Sequence, residues 1–297
     1  MRRCSLLAFS FLALACATSP RVGALCWSTA APDVPDTWPA LLLHGYDAKS
    51  RSVPRPVRDC TGSPLFALPV DSDACTETTT PLEALPDKPL NPDDIVVSPL
   101  DAHRRLVWVK ARELPQGDAI GPVALIEHAD NSWVVRHMGT LQALPVRTKL
   151  RLETIGGTQL LVAEGEKCDG TAPVLCSRDA RLMQLRGNRF VMASLHHPDG
   201  ACAGGAVFHL TRIATSRSGS GSVQRYELTT TLDFGAEVIS AHEQLTVSEG
   251  VPQRDAPPRV IRRAESDRSV RWAEGRLTNE GDPLWSRIFP QRNAKTR

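Results

Sequence analysis

The sequence predicts a mainly β protein, an antiparallel sandwich or barrel preceded by a Pro-rich, loop-rich N-terminal segment. Three observations carry this reading. From about residue 95 onward, short apolar or alternating runs follow one another closely, punctuated by Gly, Asn or Asp as in HADNS, IGG and LRGN. No segment keeps a helical period over a useful length. Thirteen of the 23 prolines fall within the first 100 residues, where periodicity is weak and turn chemistry dense.

Taken in order, Met1-Arg2-Arg3 is a short positive stretch, and residues 4–15 (CSLLAFSFLALA) are an unbroken apolar run ending in small residues. That pattern is a secretory signal, too short to span a membrane as a mature helix. Two cleavage sites follow. Ala13-Leu14-Ala15-Cys16 resembles the lipobox of bacterial lipoproteins. The resemblance implies a signal peptide over 1–15, acylation of Cys16 as the new N-terminus, and a membrane anchor. The second site follows Val22-Gly23-Ala24, a small-x-small pattern whose use would release a secreted soluble protein.

Residues 16–95 read as a Pro/Cys-rich tether, or as a coat laid over the next domain. Six cysteines remain beyond Cys16: Cys26, Cys60, Cys75, Cys168, Cys176 and Cys202. An even number in an exported chain favours three disulfides. Cys168 and Cys176 bracket the turn-rich DGTAPVL and are the most local pair; Cys60–Cys75 comes next, and Cys26–Cys202 is what remains. No C-x-x-C spacing exists to suggest a cysteine-based zinc site.

Residues 96–250 carry the strand runs. LVWV (106–109) is continuously apolar, as in a strand buried on both faces. KLRLETI (149–155) alternates, with Leu150, Leu152 and Thr154 on one face and Lys149, Arg151 and Glu153 on the other. Three segments look alike: 124–138, 181–195 and, more loosely, 269–277. The first two share an apolar strand, an Asn-containing turn and an aromatic followed by Val, and the third is a looser copy, so three similar hairpins are expected. SRSGSGS (216–222) reads as a hairpin loop. Residues 251–297 hold eleven basic and six acidic residues, and read as a basic segment with an extra hairpin.

Formal net charge is +2, without the basic excess of a nucleic-acid binder. Several motifs fail on inspection. LLLHG (41–45) is similar to the oxyanion-loop segment of α/β-hydrolases, but no G-x-S-x-G follows. His242-Glu243-Gln244-Leu245-Thr246 begins like H-E-x-x-H and ends in Thr, inside a strand-like run. Asp233-Phe234-Gly235 lacks every companion motif of the protein kinases. His196, His197 and Asp199, with His209 from the next strand, are the weak candidates for a metal site, provided a turn makes them converge. His128 and His137 flank one hairpin and are placed to meet across it. No cofactor motif and no catalytic constellation is present.

In its leader and its loop-then-β layout the chain resembles uncharacterised lipoproteins of GC-rich Gram-negative bacteria. That resemblance implies a lipid-anchored protein of the cell envelope, at the outer membrane or in the periplasm. Its role would be binding or scaffolding rather than catalysis, with the membrane and an envelope protein or polymer as partners. The alternative is an exported hydrolase or metalloenzyme on a β scaffold.

Overall fold

A computed structural model of the chain describes residues 23–29, 36–67, 80–81, 89–168, 175–217, 222–250 and 258–288. The chain begins with β1 (Cys26–Ser28), the short helix α1 (Thr37–Leu42), and a small pair, β2 (Phe66–Ala67) with β3 (Thr80–Pro81). A single 3₁₀ turn, Pro92–Asp94, leads into β4 (Ile95–Pro99), β5 (Arg104–Val109) and the two-residue β6 (Arg112–Glu113). Then come the long strands β7 (Ala119–Ala129), β8 (Ser132–Ala143), β9 (Val146–Ile155), β10 (Thr158–Cys168) and β11 (Cys176–Arg186). Three short strands follow: β12 (Arg189–Met192), β13 (Ser194–His196) and β14 (Cys202–Gly205). The chain finishes with β15 (Val207–Arg217), β16 (Val223–Phe234), β17 (Val238–Gly250), β18 (Arg259–Ala273), β19 (Arg276–Glu280) and the helix α2 (Leu284–Ile288).

The fold is the expected mainly β one. Eight strands pair in the order β9-β10-β11-β12-β8-β7-β5-β4. The circuit closes where Leu150 N donates to Ser98 Oγ at 3.2 Å, joining β9 to β4. An eight-stranded barrel has an interior just wide enough for side chains to fill. Here Leu106 and Trp108, Val123 and Leu125, Leu161 and Phe190 fill it. A second series, β15-β16-β17-β18-β19-β13, leaves the other half of β11 and curls over the outer face of β9–β11.

The continuous apolar runs follow from this layering. On β5, Leu106 and Trp108 face the barrel interior, while Val107 and Val109 face outward into a core shared with Trp38, Leu41 and Leu42. On β10, Leu161 and Ala163 face inward, while Leu160 and Val162 meet Phe208, Ile239 and Val270 of the second series. Both strands are walls between two cores, so no polar face is needed. By contrast, β9 alternates as expected. Leu150 and Leu152 point inward, and Arg151 on the other face is ion-paired to Glu153 and Glu164.

The described part of the N-terminal segment is a coat on the barrel. Trp38 of α1 meets Trp133 edge-on at 5.3 Å, and the Arg105 guanidinium lies 4.1 Å from the Trp133 ring centroid. The Cys26–Cys60 disulfide fixes this coat beside β8, with which β1 pairs. This corrects the expected Cys60–Cys75 and Cys26–Cys202 pairings: β1 docks on β8 and delivers Cys26 to Cys60 over long range, which sequence proximity cannot foresee. Cys168–Cys176 forms as expected and closes the β10–β11 turn. Cys202 is also disulfide-bonded, while Cys16 and Cys75 lie outside the described residues. By loop-closure entropy the two bridges contribute roughly 4 and 2–3 kcal/mol.

Two features depart from a purely antiparallel sheet. β12 runs parallel to β8, and β13 parallel to β19, each over two residues. The first is possible because position 139 is Gly: a Cβ there would stand 2.1 Å from the Phe190 carbonyl oxygen. The three look-alike segments are indeed hairpins, β7–β8, β11–β12 and β18–β19. Asp130-Asn131 and Glu274-Gly275 hold positive φ at both turn positions, the two-residue turn that matches strand twist. The basic C-terminal stretch is not a separate segment over its described part: β18–β19 continues the sheet to Glu280.

Candidate functional site

The two ends of the barrel differ. At the end near β6 and the β8–β9 turn, Arg181 projects inward from β11. Its Nη2 donates to Asp118 Oδ2 at 2.7 Å and its Nη1 to the Gln142 carbonyl at 2.8 Å. The Gln142 amide donates to the same Asp118 oxygen at 2.8 Å. Asp118 and Gln142 are buried. This polar plug closes the lower end, with Arg181 Nε and Gln142 Oε1 left unpaired among the described residues.

The upper end is open. A cavity of about 390 Å³ lies there, with Leu125 as its apolar floor. The inward alternation that fills the core lower down turns polar here: Arg104 follows from Leu106 on β5, Glu127 from Leu125 on β7, and Gln159 from Leu161 on β10. Asn188, from the β11–β12 turn, and Gly23 complete the rim. A β-bulge shapes β8 at this point. Leu125 pairs with His137 and Ile126 with Val135, leaving Arg136 as the extra residue. The bulge aims Arg136 and His137 together at the mouth.

The electrostatics of the mouth are donor-rich. Arg136 Nε donates to Glu127 Oε2 at 2.7 Å. Arg104 Nε donates to Asp101 Oδ2 at 2.7 Å, and this bond, with the backbone N–H groups of His103 and Arg104, holds the Asp101 carboxyl down to about 2. The terminal nitrogens of Arg104 and the side-chain amides of Gln159 and Asn188 have no partner among the described residues. His137 packs edge-on against Phe190, and its buried Nδ1 is unpaired among the described residues. Burial, with Arg136 beside it, lowers the imidazole pKa from its ordinary value, so the ring is neutral near pH 7. The Trp108 indole N–H, inside the barrel, likewise finds no acceptor among the described residues.

The residues singled out from sequence fare differently. His196, His197, Asp199 and His209 do not converge. His196 lies between Ser194 Oγ (3.0 Å) and the Gly200 carbonyl (3.2 Å), and Asp199 accepts from Ala201 N at 2.9 Å within the same turn. His209 pairs instead with Asp179 at 2.8 Å. Among the described residues, the three-donor group that does come together is Glu166, Cys168 and Cys176, and its two sulfurs are bonded to each other. His128 and His137 do not meet either: His128 packs tilted against Trp133 at 4.6 Å, while His137 opposes Leu125. LLLHG runs through α1 into an isolated bridge rather than a strand. His242 and Glu243 lie on opposite faces of β17. His242 is exposed with Asp267, and Glu243 is buried with Arg268.

The mouth went unseen in the sequence because its side chains come from several strands and a turn. The available signal was a polar residue two places beyond each inward-facing apolar pair.

A second, smaller cleft of about 250 Å³ holds Arg147, Lys149 and Arg178 with Glu164 and Glu166. Arg147 pairs with Glu166 at 3.1 Å, and Arg151 and Arg178 both flank Glu164, so these charges largely satisfy one another. Among the described residues no helix is long and apolar enough to cross a membrane. No family model matches the sequence, no curated protein matches it, and no solved structure matches it.

Proposed function

We propose that the protein is an exported, lipid-anchored component of a bacterial cell envelope whose role is binding rather than catalysis, with the open mouth of the barrel as its binding site. The observation that carries this reading is the asymmetry of the barrel. One end is closed by the hydrogen-bonded Arg181, Asp118 and Gln142 side chains; the other is an open mouth whose Arg104, Gln159 and Asn188 donors stand above an apolar floor, an arrangement suited to a ligand entering a barrel mouth. The disulfides support an oxidising compartment. The lipobox-like leader supports acylation at Cys16, with the outer membrane or periplasm as the location. The catalytic alternative rested on histidines that stand apart.

A thermal-shift screen of small carboxylates, phosphates, sugars and amino acids tests the binding role. A ligand of this site should raise the unfolding midpoint of the wild type but not of Gln159→Trp, which places an indole over the mouth from an exposed position. Equal shifts in both proteins would remove the mouth from the proposal.

A further inference from the structure

Resting on that reading, we propose that the mouth faces the bilayer and holds the phosphate of an anionic phospholipid headgroup. The first argument is reach. Gly23 is part of the rim, and six residues separate it from Cys16. The seven steps from Cys16 to Gly23, fully extended, span at most about 25 Å. An acyl chain at Cys16 therefore keeps Gly23, on the rim, within about that distance of the membrane. Beyond the tether, the chain joins the barrel at once on this side. Leu25 N donates to Val135 O at 2.9 Å, β1 pairs with β8, and Cys26 is bonded to Cys60. Trp27, half exposed on β1, sits at the same end, the position an amphipathic ring takes at a headgroup layer.

The second argument is donor chemistry. Arg104 is tied to Asp101 through Nε alone, leaving its terminal amino groups for an oxyanion. The amides of Gln159 and Asn188 add neutral donors, and the neutral His137 ring adds no charge that would favour a polyanion. A guanidinium fork with two amides matches a phosphate that carries one negative charge. Leu125 below offers apolar contact to the glycerol side of such a headgroup.

Native mass spectrometry of the mature protein, released from host membranes in mild detergent, tests this directly. The covalent mass reports acylation at Cys16, and the non-covalent adduct reports the mouth, so the two ideas fail separately. The expected adduct is one anionic phospholipid per chain. Its occupancy should fall more than about tenfold in Arg104→Gln, the loss expected for a hydrogen bond to a charged group, and likewise in Gln159→Trp. Arg259→Gln, a cation far along β18, should keep the adduct. Absence of a lipid adduct, equal loss in Arg259→Gln, or retention of zwitterionic and anionic lipids alike would overturn the proposal. So would Arg104-dependent binding of inorganic phosphate without any bound lipid.

Discussion

Arg181 is the side chain on which the closed end of the barrel depends, and its replacement tests the plug quantitatively. Arg181→Met keeps the apolar stem and deletes the guanidinium. Two hydrogen bonds go with it, to Asp118 at 2.7 Å and to the Gln142 carbonyl at 2.8 Å. The Arg181 side chain is 13% exposed and that of Asp118 7%, so water cannot replace what is lost. Asp118 is left as a buried carboxylate with the Gln142 amide as its remaining side-chain donor. Breaking one side of a buried pair costs about 3–5 kcal/mol, against ~1 kcal/mol or less for an exposed pair. For a chain of this size that corresponds to a fall in Tm of roughly 6–20 °C. Urea unfolding with the disulfides intact, followed by tryptophan fluorescence, measures it. The double variant Arg181→Met/Asp118→Leu removes the stranded charge and should recover more than half of the loss. A single variant within about 1 kcal/mol of wild type, or a double variant no more stable than the single one, would show that Arg181 does not hold this end of the barrel.

Three other outcomes follow from named contacts. Gly139→Val places a side chain against the Phe190 carbonyl and should break the parallel β8–β12 pairing, lowering stability by about 1–3 kcal/mol or more in the same unfolding assay. Glu243 accepts from both Arg268 Nε (2.7 Å) and Leu284 N (2.5 Å), so Glu243→Ala should release α2. Trp285, packed on Leu245 and Val247, would then gain solvent exposure, seen as a red-shifted emission and faster cleavage near the C-terminus. Burial depresses the pKa of His137, so the unfolded chain takes up its proton first as pH falls below about 6.5. Stability from this residue is therefore full above that pH and declines as pH drops toward the lowered folded value. His137→Phe should flatten that part of the stability–pH curve.

The architecture was legible where a residue's role depends on its neighbours in sequence. LVWV on β5 and the alternation on β9 announced a two-faced wall and a half-polar one, because strand parity alone sets which face each side chain takes. The Asp130-Asn131 and Glu274-Gly275 turns were legible for the same reason, and so was Cys168–Cys176. What depends on long-range pairing was not. Cys26 meets Cys60 because a three-residue strand docks on β8, an event with no local signature. The mouth stayed hidden because Arg104, Glu127, His137 and Gln159 come from four strands. The bulge at Arg136 also shifts the parity of β8, so counting alternate residues from Leu141 does not explain why Arg136 and His137 reach the rim together. The polar cluster that the sequence did offer is split: His196 bonds within its own turn, and His209 on β15 bonds Asp179 on β11.

The central claim, an exported and anchored protein of the envelope, is tested most directly by the intact mass of the mature chain from its native host, taken before and after reduction. The expected chain begins at Cys16, carries covalent acyl groups, and gains two hydrogens for each disulfide on reduction. A chain that begins at Leu25 without lipid, or a mass unchanged by reduction, would contradict it.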